Sequence, residues 1–253
     1  MNREQKATDR TVYRKLMRRN GLVPFRVCHL ETDLFIQASQ EMKEQVSDWV
    51  VEARMAIESY GRAHPDFFSS LLPLPMDDLA PGIVKKMLDA AISAGVGPMA
   101  AVAGAIAEFV SVRIAEATGE EVLVENGGDL SLFIKDVMVV GLWAGASSPF
   151  SGRIGLRLGP EMANEHGEFW SVCTSSGMFG HSMSMGRADA SVVLARDAAL
   201  ADAAATAAGN LVAAPGDIQH ALDYLSHLPG VTGGIVVKGE HIGAWGDLEL
   251  VQL

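Results

Sequence analysis

Cysteine is scarce: Cys28 and Cys173 are the only two in 253 residues. One disulfide is the most they can form, and a core of this size does not need one, so a reducing compartment is expected. Basic charge is also in short supply. Lys and Arg number 20 against 31 Asp and Glu, and the formal net charge of −11 repels polyanions, which argues against a nucleic-acid partner. No stretch approaches the roughly 18 consecutive apolar residues that span a bilayer, so a cytoplasmic chain with no membrane partner is expected. The one basic cluster, Arg3, Lys6, Arg10, Arg14, Lys15, Arg18 and Arg19, has neither an apolar run behind it nor a cleavage-site pattern. It reads as a charged helix or frayed arm, or else as an anion-binding arm, and not as a signal peptide. Zinc-ligand spacing is missing from His29, His64, His166, His220, His227 and His241. Repeats and long linkers are missing too, which points to one domain over 1–253, with a hairpin and helix in 1–72 and the motif-bearing core in 73–253.

What is present is a mixed pattern of helices and strands. Two β-rich runs, 26–30 and 34–36, flank Glu31, Thr32 and Asp33 and predict an N-terminal hairpin. Apolar residues at helical spacing then predict a helix to about Tyr60. The proline-rich stretch 72–81 must be extended or turned, because proline lacks the amide proton and restricts its predecessor. Helices are expected at 82–94 and 99–117. The second opens with Met99, Ala100, Ala101, Val102, Ala103, Gly104, Ala105, Ile106 and Ala107, which leave no polar face and predict burial on all sides. Strands are expected at 121–125, 130–134, 137–143, 154–158, 170–173 and 190–194, followed by helices at 198–213 and 217–228. A closing hairpin pairs 234–238 with 241–245 across Gly239 and Glu240. Short connections between the strands predict mainly antiparallel pairing, so the fold class is α+β (mixed α/β) around a central alanine-rich helix.

Three constellations carry candidate chemistry. The first is Glu125, Asn126, Gly127, Gly128 and Asp129 between two strands, where paired glycines admit a ligand or another backbone at close range. Asn126 and Gly127 are equally a hairpin turn. The second is Thr174, Ser175, Ser176 and Gly177 with Gly180, His181, Ser182, Gly186, Arg187 and Asp189. Its hydroxyls and exposed amides suit phosphate oxygens, and Arg187 suits a diphosphate, although a small-residue loop is also an ordinary connection. The third places Asp202 and Thr206 one turn apart on a helix face with no basic neighbour at helical spacing. Such a carboxylate needs a metal ion, an arginine or a backbone donor unless it is exposed, and oxygen ligands of this kind suit magnesium. Cys173 beside the serine loop reads as an inert buried thiol or as a reactive one.

In this order the constellations resemble the ApbE family. Residues 103–107 stand at its Gly-Gly-Ile-Ala-Lys, Asn126 to Asp129 at its Leu-Gly-Gly-Asp, Ser176 and Gly177 at its Ser-Gly loop, and residues 201–206 at its Ala-Asp-Ala-Leu-Ala-Thr. Ala107 replaces the family's lysine, and a His-Ile-Ile-Asp-Pro segment is absent. The combination of Cys-Thr-Ser-Ser-Gly, Gly-His-Ser and Gly-Arg-Ala-Asp-Ala is similar to a cytoplasmic ApbE-like group of bacteria and archaea, some of whose members are associated with sulfide assimilation to homocysteine. The resemblance implies an ApbE-like fold and transfer of FMN from FAD to a threonine on an acceptor protein. Asp202 and Thr206 would hold magnesium and serve catalysis. Asn126, Gly127, Gly128, Asp129, Ser175, Ser176, Gly177, His181 and Arg187 would contact FAD or another small-molecule diphosphate. A sulfur-handling protein using Cys173, and a non-catalytic binding protein on the same scaffold, are the alternatives.

Overall fold

The structure is a computed structural model that describes residues 13–159, 168–176 and 188–253. Strands β1 (Val23–His29) and β2 (Thr32–Ala38) form the expected hairpin. Its turn falls at Leu30 and Glu31, one to two residues earlier than the polar cluster predicts, and Leu30 takes a φ of 52°. Helix α1 (Lys43–Ala63) follows, then a one-turn helix at Asp66–Ser69 and the irregular proline-rich stretch. Helix α2 (Gly82–Ala94) ends at Gly95, whose φ of 65° closes the last turn without a Cβ penalty. A 3₁₀ turn (Pro98–Ala101) precedes α3 (Val102–Thr118), where the spacing predicts one continuous helix from Met99.

The remaining strands are β3 (Val122–Asn126), β4 (Asp129–Ile134), β5 (Met138–Gly141), β6 (Ile154–Leu158), β7 (Glu168–Ser175), β8 (Ala190–Ala195), β9 (Val231–Lys238), β10 (His241–Gly246) and β11 (Glu249–Gln252). Helices α4 (Ala198–Asn210) and α5 (Ile218–Ser226) lie between β8 and β9. Eight strands form one sheet in the order β1-β2-β3-β4-β7-β8-β9-β10, and a smaller sheet runs β11-β6-β5. Every pairing is antiparallel, as the short connections predict. The fold is α+β.

Strand alternation sorts the large sheet into two faces. Leu34, Ile36, Val122 and Val124 turn toward α1, α2 and α3, and Val193 and Val236 join the apolar residues of α4 and α5. Leu130, Leu132, Val172, Val192 and Ile235 turn the other way, toward Met138, Leu142 and Leu156 around the small sheet. Cover on both sides explains why these strands read as apolar runs rather than clean alternations.

Helix α4 is sandwiched between β7 and β8 on one side and α2 and α3 on the other. From Ala198 to Gly209 every residue except Leu200 is buried. Alanine suits that position because larger side chains would hold the neighbouring layers apart. Gly104 of α3 marks the closest approach: a Cβ there would lie 2.1 Å from the Ala198 carbonyl oxygen. The stretch Pro98–Thr118 is long and apolar enough to cross a membrane by length and composition, unlike the expectation drawn from consecutive apolar residues. It packs against β3, β4 and α4, but it is not buried on all sides as its composition predicts: Met99, Ala100, Val102 and Ala103 are half-buried because they line a cleft.

The basic N-terminal cluster has a structural use where it is described. Arg14 Nε donates to Glu125 Oε2 at 2.6 Å, and its Nη1 donates to both Asp33 oxygens at 3.0 Å. Arg14 and Glu125 are 8 % and 1 % exposed. Arg14 is therefore committed to two carboxylates of its own chain rather than to an external anion.

Candidate functional site

A cleft of about 520 Å³ opens on the helix face of the large sheet, where α3, α4 and the β3–β4 turn converge. Asn126, Gly127, Asp129, Ser175, Asp202 and Thr206 all line it. The three constellations, far apart in sequence, thus meet at one place.

The turn is built from Gly127 and Gly128, with φ of 73° and 114°, because Asn126 pairs with Asp129 across it. The hairpin and ligand readings of this segment are both compatible with that geometry, and the turn sits one residue later than Asn-Gly alone implies. Positive φ at both central residues is what a tight hairpin needs and what glycine supplies without strain. Glu125 braces the turn from behind, its Oε1 accepting from the Gly128 amide at 2.7 Å and from the Tyr13 hydroxyl at 2.8 Å. Asn126 Nδ2 donates to the Ala103 carbonyl at 3.0 Å, tying the end of β3 to α3.

Asp202 finds the partner that its own helix lacks. The Gly104 amide donates to its Oδ2 at 2.9 Å, a contact that the missing Cβ of Gly104 makes room for. Burial pushes the Asp202 carboxyl up to about 7, against the pull of the Gly104 and Ala103 amides. Asp129 accepts from the Thr174 amide at 3.1 Å. Burial, and then the neighbouring Asp202 charge, raise Asp129 well above the ordinary carboxyl range. Two buried acids thus line the same cleft, close enough for the charge of one to act on the other.

One turn beyond Asp202, the Thr206 hydroxyl is buried without a hydrogen-bond partner, and so is the Ser175 hydroxyl. Buried polar groups are usually paired, so these two oxygens are conspicuous. Among the described residues no group of three or more His, Cys, Asp or Glu forms a metal cage. Magnesium does not require one, since it is commonly held by one or two carboxylates together with substrate phosphates and waters. A carboxylate, a neighbouring acid and an unpaired hydroxyl fit that requirement.

Not every predicted residue faces the cleft. Gly128 and Ser176 line a separate cavity on the other face of the sheet, while Gly127 and Thr174 border both. Gly177, His181 and Arg187 lie outside the described residues. Cys173 is fully buried; its Sγ donates to the Ala198 carbonyl at 3.5 Å, and burial, then the Asp129 and Asp202 charges, raise the thiol well above its ordinary value. That environment disfavours the thiolate a sulfur-transfer role would need.

Sequence reasoning missed Arg54 on α1, which lines the cleft and donates to Thr32 Oγ1 at 3.0 Å, Glu31 at 2.7 Å and Glu58 at 2.9 Å. Its i,i+4 partner Glu58 was the visible signal, and that pattern reads as an ordinary solvated helix face.

Some known proteins resemble the chain in sequence and others in fold. The family described as "AbpE bacteria" matches residues 14–223. A "UPF0280 protein" of Methanococcus aeolicus is 42 % identical over 201 residues, covering 79 % of each chain. One from Methanopyrus kandleri is 40 % identical over 229 residues, covering 87 % of this chain and 89 % of the relative. Among solved structures, the apo flavinyl transferase ApbE of Pseudomonas stutzeri superposes with a TM-score of 0.55 at 13 % identity, covering 89 % of this chain and 94 % of that one. The flavin transferase ApbE of Vibrio cholerae gives 0.52 at 11 % identity, covering 89 % and 96 %. At such identities the likeness is one of fold.

Proposed function

Because the chain belongs to the AbpE bacteria family, we propose that its cleft binds FAD or a related diphosphate with magnesium and serves flavin transfer to an acceptor protein. The observation that carries the reading is the Asp202 and Thr206 pair: an acid held by one backbone amide and an unpaired buried hydroxyl, beside a second acid and a two-glycine turn. The structural neighbours named for flavin transfer support it.

Each residue then has a task. Asp202, oriented by the Gly104 amide, and the Thr206 hydroxyl would hold the cation, which when bound supplies charge neutralisation at the diphosphate. Gly127, the residue of the turn that lines the cleft, lets a phosphate approach the backbone without meeting a Cβ. Asn126 fixes the end of β3 against α3, so the turn keeps its position as the ligand enters. Asp129 stands at the strand end, anchored by the Thr174 amide. In the transfer itself an acceptor hydroxyl oxygen bonds to the FMN-side phosphorus, the anhydride P–O bond breaks, AMP departs with that electron pair, and the hydroxyl proton passes to solvent or to a cleft base.

Isothermal titration of FAD, first with magnesium and then with EDTA, tests the proposal. Binding that needs magnesium and is lost in Asp202→Asn is the expected result. No binding in either condition, or magnesium-dependent binding unchanged in Asp202→Asn, would overturn it.

A further inference from the structure

The face of the large sheet that turns away from the helices borders a second cavity, of about 620 Å³, against the three-stranded sheet. Among the described residues its walls include Leu130 and Leu132 from one sheet and Val140 and Leu156 from the other. Protein interiors are packed nearly as tightly as organic crystals, with few voids larger than a water molecule. This cavity is partly open to solvent, where water can enter, and its size is in the range of small-molecule pockets.

The unpaired polar atoms say with what. Gln37 is 2 % exposed, and the Arg19 amide donates to its Oε1 at 2.9 Å, which fixes Nε2 as the group left over. That Nε2 is buried and has no partner. Trp143 Nε1, on another wall, is in the same condition. Both are N–H donors, and a buried donor without an acceptor is costly. Glu125 also lines the cavity, but Tyr13, Arg14 and the Gly128 amide occupy its carboxylate. Two arginines reach the cavity as well: Arg19 spends its guanidinium on Glu121 and the Val137 carbonyl, and Arg18 lines the rim from an exposed position. The buried part offers apolar walls, two neutral N–H donors and a committed carboxylate, which disfavours a phosphate or a free carboxylate as the buried occupant. The slot lies between two facing sheets, which favours a flat molecule.

We propose that this cavity is a second binding site, for an uncharged flat ring molecule whose carbonyl oxygens accept hydrogen bonds from Gln37 and Trp143. The site is separate from the diphosphate cleft and does not depend on the transferase reading, although Gly127 and Thr174 border both spaces.

Duroquinone is a suitable probe: flat, uncharged, with two carbonyl acceptors and a fully substituted ring that does not add thiols. Titrated into the full chain, it is expected to quench tryptophan fluorescence saturably, and Trp143→Phe should remove most of that change. Gln37→Met, which keeps the volume and deletes the donor, should weaken binding about five- to tenfold, the worth of one hydrogen bond. Val140→Phe, which fills the slot, should weaken it further, with circular dichroism confirming that both variants fold. Absence of saturable quenching in the parent chain would overturn the proposal. So would binding of equal strength in the parent, Gln37→Met and Val140→Phe. Magnesium-dependent FAD binding, followed separately, reports on the cleft alone, so failure at one site is distinguishable from failure at the other.

Discussion

Arg14 lies between Glu125 and Asp33, and removing its charge leaves a 1 % exposed carboxylate without its cation. Breaking a buried pair from one side costs about 3–5 kcal/mol, far more than a surface ion pair is worth. Arg14→Met should therefore lower the unfolding free energy by that much, seen as a lower urea midpoint with an unchanged slope, whereas Arg26→Met, whose side chain is 61 % exposed, should cost under about 1 kcal/mol. Asp33 gives the same cluster a pH dependence. Burial alone would raise its carboxyl, but the hydrogen bond from Arg26 and the charge and hydrogen bonds of Arg14 pull it well below the ordinary 3.8. A depressed folded value means that the unfolded chain takes up the proton first as pH falls. The stabilisation is complete above the unfolded value and is lost as pH drops through the folded one. Denaturation of Asp33→Asn at several pH values should show its largest deficit at neutral pH, shrinking below about pH 4. A deficit that stays constant down to strongly acidic pH would mean that Asp33 contributes through shape rather than charge.

At the scale of elements, the approach of α3 to α4 controls the cleft. A methyl group on Gly104 would meet the Ala198 carbonyl at 2.1 Å and Asp202 Cβ at 2.9 Å, so the helices must part. Gly104→Ala should cost about 1–3 kcal/mol, as overpacking does, and should also lengthen the amide contact that holds Asp202. Gly82→Ala, with nothing within 4 Å, should be neutral or stabilising by up to about 1 kcal/mol. Equal urea midpoints for the two variants would refute the close-packing account. Elements bounded by strong punctuation were legible in the sequence: α2 between Pro81 and Gly95, and the closing hairpin around Gly239. Strand β11 was not, because its residues are exposed or half-buried and carry no alternation that periodicity can detect. The 3₁₀ start of α3 was also hidden, since Pro98 opens a 3₁₀ turn and an α-helix equally well. Asp202 and Thr206 were readable as a pair from helical spacing, but the Gly104 amide and Arg54 come from other elements. Which distant residues meet is decided by tertiary packing, and no local pattern records it.

Over the whole molecule the large sheet separates two spaces, the cleft among the helices and the cavity against the small sheet, with the Gly127–Gly128 turn between them. Helix α4 touches β7, β8, β9, α2, α3 and α5, so a ligand engaging Asp202 and Thr206 grips an element shared by both halves of the helix layer. Binding to the folded state alone should therefore raise the stability of one cooperative unit rather than of a local patch. At a free FAD concentration of about one hundred times its dissociation constant, with magnesium, the gain is about 2.7 kcal/mol. For a chain of this size that corresponds to a rise of about 5–10 °C in the unfolding midpoint, seen as a shift of a single transition in calorimetry. EDTA should abolish the shift, and Asp202→Asn should show none. A second transition that ignores the ligand would mean that the helix layer and the small sheet unfold independently, and a full shift in Asp202→Asn would place the ligand somewhere other than this cleft.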